Sequence, residues 1–364
     1  LNITGGMFSN VYFLNNEGTI AISGGTFGSV ANKNATTNIP PMLLLKKGYA
    51  FFDVNDTVQD GSKDNLLYNV TVKEHTHTIE NGKCACGIVA NVSDSKGDFY
   101  NTLQAALDAA AKDSTIQWVQ LEQDLAENAT FNGQGNTVTL KMNGKKLEVN
   151  SGVPLTVNSG TLIIEGNAAI NQVGDDTAYS GSPASAIVLN NGKLVFNGEL
   201  HAQGGRLWAN NGGRKPAVLA EGGELEFDTK VFLCGGLTMK GESTLTRSLP
   251  VGSEFTAKND ETQNERIDVS EHSAYKLSSL LADGTALEFM SDNTLFQNPS
   301  YYKAAGSNVR VVTHEHSYHA VEGRAFWMCD CGVTCSHDNM ENGKCTVCGY
   351  ACPHTDVNEN GVCE

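Results

Sequence analysis

The chain has no membrane-length apolar run, little proline and few aromatics. One apolar stretch, MLLLKKGYAFF at 42–52, is interrupted by Lys46 and Lys47. It is far shorter than the ~20 residues of a spanning helix, so no membrane insertion is expected of these residues. Proline numbers 8 against 38 glycines, aromatics make up 7% and charged residues 18%, which is too apolar for a disordered polymer and lacks the long helical periodicity of a bundle. Basic residues are also scarce: 25 Lys and Arg face 41 Asp and Glu, a formal charge of −16. Such a surface repels phosphate backbones, which argues against a nucleic-acid partner. No G-x-S-x-G, phosphate-binding loop or dinucleotide fingerprint occurs. The sequence opens on Leu1 without a signal peptide, so targeting information is expected outside these residues.

What is abundant is repetition. LLKKG at 44–48 and LLADG at 280–284 each precede an apolar strand, then a β-rich stretch ending in paired histidines, then Cys-x-Cys-Gly. Four matched features in the same order predict that residues 1–90 end one repeat unit and 91–332 form a complete further one. The complete unit opens on a predicted helix in FYNTLQAALDAAA, with Asp98 as its N-cap and Leu103, Ala106, Leu107 and Ala110 on one face. Three segments then align without gaps: LTVNSGTLIIEG at 155–166, IVLNNGKLVFNG at 187–198 and VLAEGGELEFDT at 218–229. Each reads as strand, tight turn, strand. A hairpin meander would give the same alternation, but glycines 32 and 31 residues apart, Gly160, Gly192 and Gly223, fit one coil of a parallel β-helix better. Near the start, Ile3-Thr4-Gly5-Gly6-Met7-Phe8 recurs 19 residues later as Ile22-Ser23-Gly24-Gly25-Thr26-Phe27, as shorter coils would.

Cysteine and histidine fall into four modules. The first is His75, His77, Cys84 and Cys86; the second is His314, His316, Cys329 and Cys331; the third is Cys335, His337, Cys345 and Cys348. The fourth, Cys352, His354 and Cys363, has three candidates, and its fourth ligand is expected beyond Glu364. Two thiolates and two imidazoles make the closed tetrahedral set of structural zinc. A disulfide framework is the alternative, but disulfides need no histidines, and Cys-x-Cys closes on itself only with strain. His319 is a third candidate for the two histidine places of the second module. Cys234 is expected to be a buried, inert thiol, and His201 and His272 ordinary histidines.

Two loops interrupt the aligned coils. QVGDDTAYSGSPAS carries Asp175, Asp176 and Tyr179; QGGRLWANNGGRKP carries Arg206, Trp208 and Arg214. Coils in register would project both loops from one side, one above the other. Tyr, Trp and Arg are the residue types of protein–protein hot spots, and the aromatics also stack on sugars, so the cluster suits a protein or a glycan. Solvated long turns are the plain alternative. No acid, base and nucleophile set converges, so no catalytic residue is assigned and the chain is read as a non-enzyme.

The coils, the GGxF repeat and the HxH…CxCG modules together resemble very large repeat-bearing surface proteins of gut Gram-positive anaerobes. Some of that group resemble immunoglobulin-binding, superantigen-like proteins. The resemblance implies a secreted, wall-attached adhesin that binds a host protein, with immunoglobulin as the specific expectation, or a mucosal glycan. A polysaccharide-cleaving enzyme and a structural stalk are the rivals. The expected fold is all-β: a right-handed parallel β-helix with an N-terminal capping helix, plus small zinc modules. The expected divisions are 1–40 for a solenoid tail, 41–74 for a β-rich link and 75–90 for a zinc module. A capped β-helix follows at 91–277, then a second link at 278–313, a module at 314–333 and two small modules at 334–364.

Overall fold

A computed structural model describes residues 1–14, 19–33, 38–62, 66–80, 82–174, 183–207, 213–257, 265–296, 302–305, 307–320, 327–332, 335, 340–341 and 344–346. Among these the protein is all-β, with one α-helix, Leu103–Lys112, and no helix long and apolar enough to cross a membrane. The chain divides into two compact units, Leu1–Leu103 and Gln104–Glu364.

In the first unit, strands Asn2–Phe8 and Val11–Leu14 lie parallel on Ala21–Lys33, with Ile3 opposite Ile22, Phe8 opposite Phe27 and Val11 opposite Val30. The 19-residue repeat in the sequence is therefore a stacking repeat, and the Phe8 and Phe27 rings stack at 5.0 Å. Strand Leu66–Glu74 then runs antiparallel between Ala21–Lys33 and Tyr49–Phe52. Ile22, Phe27, Val30, Phe51 and Val70 form the core between them.

In the second unit the three segments aligned by sequence lie side by side in that same register. Leu155, Ile187 and Val218 are neighbours, as are Leu162, Leu194 and Leu225, and every pairing is parallel. Period-two alternation turns Leu162 and Ile164, Leu194 and Phe196, Leu225 and Phe227 inward, where all six are buried. The turn glycines set the stacking distance. Gly160, Gly192 and Gly223 hold positive φ, and a Cβ on Gly192 or Gly223 would sit 2.4 Å from the carbonyl oxygen of the glycine before it.

The stack is longer than the sequence repeat. Strand Ala129–Lys141 precedes it in parallel, hidden from a gapless alignment by a register shift between Asn132 and Thr137. Strand Leu237–Met239 follows it. A further parallel column runs through Lys146–Val149, Ala168–Gln172, Leu200–Gln203, Val231–Cys234 and Glu254–Thr256. Asparagines bridge successive layers on the outside: Asn158 donates to Asn132 at 2.9 Å, and Asn190 donates to Asn158 at 2.8 Å.

Both ends of this stack are covered. Leu103, Ala106, Leu107 and Ala110 of the helix are fully buried, the face expected from periodicity. The Gln104 amide satisfies both backbone groups of Thr130, donating to its carbonyl at 3.0 Å and accepting from its N–H at 2.7 Å. Asn136 donates to the carbonyls of Ala110 and Ala111 at the helix end. Asp98 is not the N-cap, because the helix starts only at Leu103. Its N–H is held in a turn by Asp94, at 2.9 Å, and its carboxylate pairs with Lys47 at 2.7 Å. At the far end, Val309–Thr313 pairs antiparallel with Glu254–Thr256 and with Thr285–Phe289.

Candidate metal centres

Each repeat ends in a small frame that presents four ligands. In the first unit, Gly48 turns the chain with φ 80° into Tyr49–Phe52, and its carbonyl accepts the His75 N–H at 2.9 Å. In the second unit, Gly284 does the same with φ 75° before Thr285–Phe289, accepting the His314 N–H at 2.8 Å. The cysteines arrive on a tight turn in which the Gly87 N–H bonds Cys84 O at 2.9 Å, and the Gly332 N–H bonds Cys329 O at 2.7 Å.

The donor atoms converge identically. Nε2 of His75 is 3.1 Å from Cys84 Sγ, and Nδ1 of His77 is 3.3 Å from Cys86 Sγ. In the second group Nε2 of His314 is 2.9 Å from Cys329 Sγ, and Nδ1 of His316 is 3.3 Å from Cys331 Sγ. Within each group the four atoms lie within 4.8 Å of one another, and the cysteines are buried. Ligand atoms about 2.0–2.3 Å from a tetrahedral ion are about 3.3–3.8 Å apart, so each group can hold one metal ion with no open coordination position. None of the seven described cysteines is in a disulfide. His319 is not in the second set; its ring faces Asp330 at 3.6 Å.

Burial shifts both kinds of donor in the first site. It lowers the pKa of His75 and of His77, the latter also through its neighbour His75, so both imidazoles arrive neutral. It pushes the Cys86 thiol up to about 12, with the adjacent Cys84 adding to the rise, so that proton is displaced only by a bound cation. In the second site burial and His314 lower His316. The rings are wedged by aromatics: Phe52 against His75 and Phe99 against His77, both edge-on. Sequence spacing did not reveal the Gly48 and Gly284 carbonyl contacts, although the repeated LLxxG marks both glycines.

In the third module Cys335 and Cys345 are both buried with sulfurs 3.5 Å apart. His337 and Cys348 lie outside the described residues, as do Cys352, His354 and Cys363 of the fourth.

Of the loop cluster, Asp175, Asp176, Tyr179 and Trp208 also lie outside the described residues. The loop bases are described, and they are adjacent: Arg206 N–H bonds Gly174 O at 2.9 Å and Gly205 N–H bonds Ala184 O at 2.8 Å. Arg206 and Arg214 face each other across a two-residue antiparallel pair. Arg214 is buried and donates to Gly204 O at 2.9 Å, which ties down the loop base. The ordinary histidines have ordinary duties. Buried His272 donates from Nε2 to Ser243 O at 2.5 Å and accepts two backbone N–H groups at Nδ1, while exposed His201 pairs with Glu199 at 2.7 Å. Cys234 is half-buried rather than interior, because alternation turns Val231 and Leu233 inward and Cys234 outward.

No family model, no curated protein and no solved structure matches the chain.

Proposed function

We propose that the chain is a non-catalytic, host-binding part of a secreted bacterial surface protein, built on a right-handed parallel β-helix and pinned by structural zinc, with immunoglobulin as its ligand. The parallel three-strand layers of the second unit support the solenoid reading, since each layer advances the chain one step along a single axis. Two thiolates and two imidazoles favour zinc over harder cations, and four protein ligands leave no place for a reacting water. Such a metal staples a segment with only a small core of its own.

The observation that carries the binding reading is the pair of adjoining loop bases at Gly174–Ala184 and Gly205–Arg206. Loops that leave adjoining layers from neighbouring bases would offer a composite surface on a rigid scaffold. The test is interferometry with polyclonal human immunoglobulin, using the whole chain and Trp208→Ala. Saturable binding that the substitution weakens supports the reading and locates the site. No binding at micromolar concentration removes immunoglobulin and shifts weight to a mucosal glycan or a stalk.

A further inference from the structure

We propose that the cavity beside the first Cys/His frame is a binding site for a small aromatic carboxylate. The cavity holds about 330 Å³ and lies wholly within the first unit, bounded by the frame and by the hairpin of Val92–Asp94 and Phe99–Tyr100. That volume falls among small-molecule sites, which hold roughly 300–1,000 Å³. Its wall is apolar along Leu45, Ile88 and Val89 and aromatic at Tyr49 and Phe99. The Tyr49 hydroxyl donates to Glu74 at 3.3 Å, which leaves the ring to the cavity. The charged side chains on the wall are Lys46, Lys47 and Asp98. Two of these cancel: Lys47 pairs with Asp98 at 2.7 Å and donates to the Lys96 carbonyl at 2.6 Å. Among the described residues Lys46 has no acidic partner, in a chain whose 41 acidic residues outnumber 25 basic ones. A single uncompensated ammonium beside apolar and aromatic surface suits a ligand with one negative charge and a flat apolar body. A dianion would meet the Asp98 carboxylate with only one free cation to offset it.

The second frame shows that none of this is needed to present four donors. In the LLxxG repeat Leu45 matches Leu281 and Gly48 matches Gly284, but Ala282, Asp283 and Thr285 stand where the first unit has Lys46, Lys47 and Tyr49. Leu281, Thr285 and Cys331 border only about 10 Å³ there. The donor atoms nevertheless converge in the same way in both frames. The lysine pair, the tyrosine and the cavity are therefore additions to the frame, and they occur together at one place. The carboxylate is held by Lys46 Nζ, and the ring lies against Tyr49 and Phe99.

The test titrates phenylacetate into the whole chain and follows binding by ligand-observed NMR. The expected result is saturable binding at about millimolar concentration or tighter, which Lys46→Ala weakens about tenfold. That substitution leaves the melting temperature and metal content unchanged, because Ala282 already stands at this place in the second frame. The uncharged analogue 2-phenylethanol should bind the parent about tenfold more weakly than phenylacetate, and should bind the parent and Lys46→Ala alike. Absence of saturable phenylacetate binding overturns the proposal, as does equal binding by Lys46→Ala and the parent. Equal binding of phenylacetate and 2-phenylethanol by the parent, a comparison that needs no variant, overturns it too. Hexanoate binding as tightly as phenylacetate removes the aromatic assignment. Immunoglobulin is absent from these assays, so the outcome is independent of the host-binding reading.

Discussion

In the first unit six residues separate His77 from Cys84; in the second, twelve separate His316 from Cys329. Despite that difference the same nitrogen of each histidine meets the same cysteine, and each leading histidine hangs by its N–H from a glycine carbonyl. The walls differ more. His77 rests edge-on against Phe99, whereas His316 tilts against Tyr318. A cavity of about 330 Å³ lined by Lys46, Tyr49 and Phe99 adjoins the first group; the one beside Cys331 holds about 10 Å³. The repeat thus holds constant the donor geometry and the backbone anchor and lets spacer and wall vary. That is what a frame needs if it is to hold a metal ion between its four donors.

The largest effect should come from the ligands. Cys84→Ser and Cys329→Ser should each lower bound zinc by one equivalent in elemental analysis and abolish protease resistance around the altered module alone. Structural zinc contributes apparent free energies of about 10 kcal/mol or more in small modules, so little of the frame survives without it. If one substitution empties both sites, the two frames are not independent copies.

Glycine substitutions sharpen the comparison at smaller scale. Gly87 has φ 100°, and its Cβ would fall 2.2 Å from Asp60 Oδ1, so Gly87→Ala should cost about 3 kcal/mol, from strain and overlap together. Gly48 and Gly284 have similar φ but no neighbour closer than 3.9 Å. Gly48→Ala and Gly284→Ala should each cost only about 1–2 kcal/mol, and by equal amounts, in thermal melts of the zinc-loaded chain. Unequal costs would mean that the frames are anchored differently.

How much of this was legible beforehand follows from which physics left a periodic mark. Ligand pairs were visible because metal coordination restricts residue type, whatever the spacer length between His77 and Cys84 or His316 and Cys329. The strand register is legible because Gly160, Gly192 and Gly223 must each admit a neighbouring carbonyl. Strand Ala129–Lys141 is not legible in the same way, because its register shift falls in the turn, where spacing carries no hydrophobic signal. The helix face was read correctly and its start was not: Asp98 looked like a cap, but Asp94 holds it in a hairpin turn between Val92–Asp94 and Phe99–Tyr100. A competing local turn is invisible to a search for caps alone. The role of Gln104 leaves no mark either, because edge satisfaction by one amide has no sequence pattern. Gln104→Ala should orphan both groups of Thr130 and cost about 1–2 kcal/mol, read by chemical denaturation of the second unit.

The smallest predicted effect asks whether the strand stack depends on its Cys/His frame at all. Glu226, on the outer face of the stack, accepts from Lys193 at 2.8 Å and from Thr246 at 2.9 Å, and pairs with Arg247 at 3.1 Å. The Lys193 and Thr246 hydrogen bonds hold its carboxyl below the usual glutamate range. A depressed carboxyl contributes stability above its unfolded pKa of about 4.3, and that contribution is lost as pH falls through the lower folded value. Glu226→Gln should therefore cost about 1 kcal/mol at neutral pH, after screening at a partly wet site, with the gap to the parent closing as the pH drops below about 4. The contacts are confined to neighbouring parallel strands, so the gap at neutral pH should be the same with chelator present. If chelation erases it, the stack has loosened along with its module. The strand stack and the Cys/His frame would then be one cooperative body, and the first unit's frame should be expected to grip its own parallel strands in the same way.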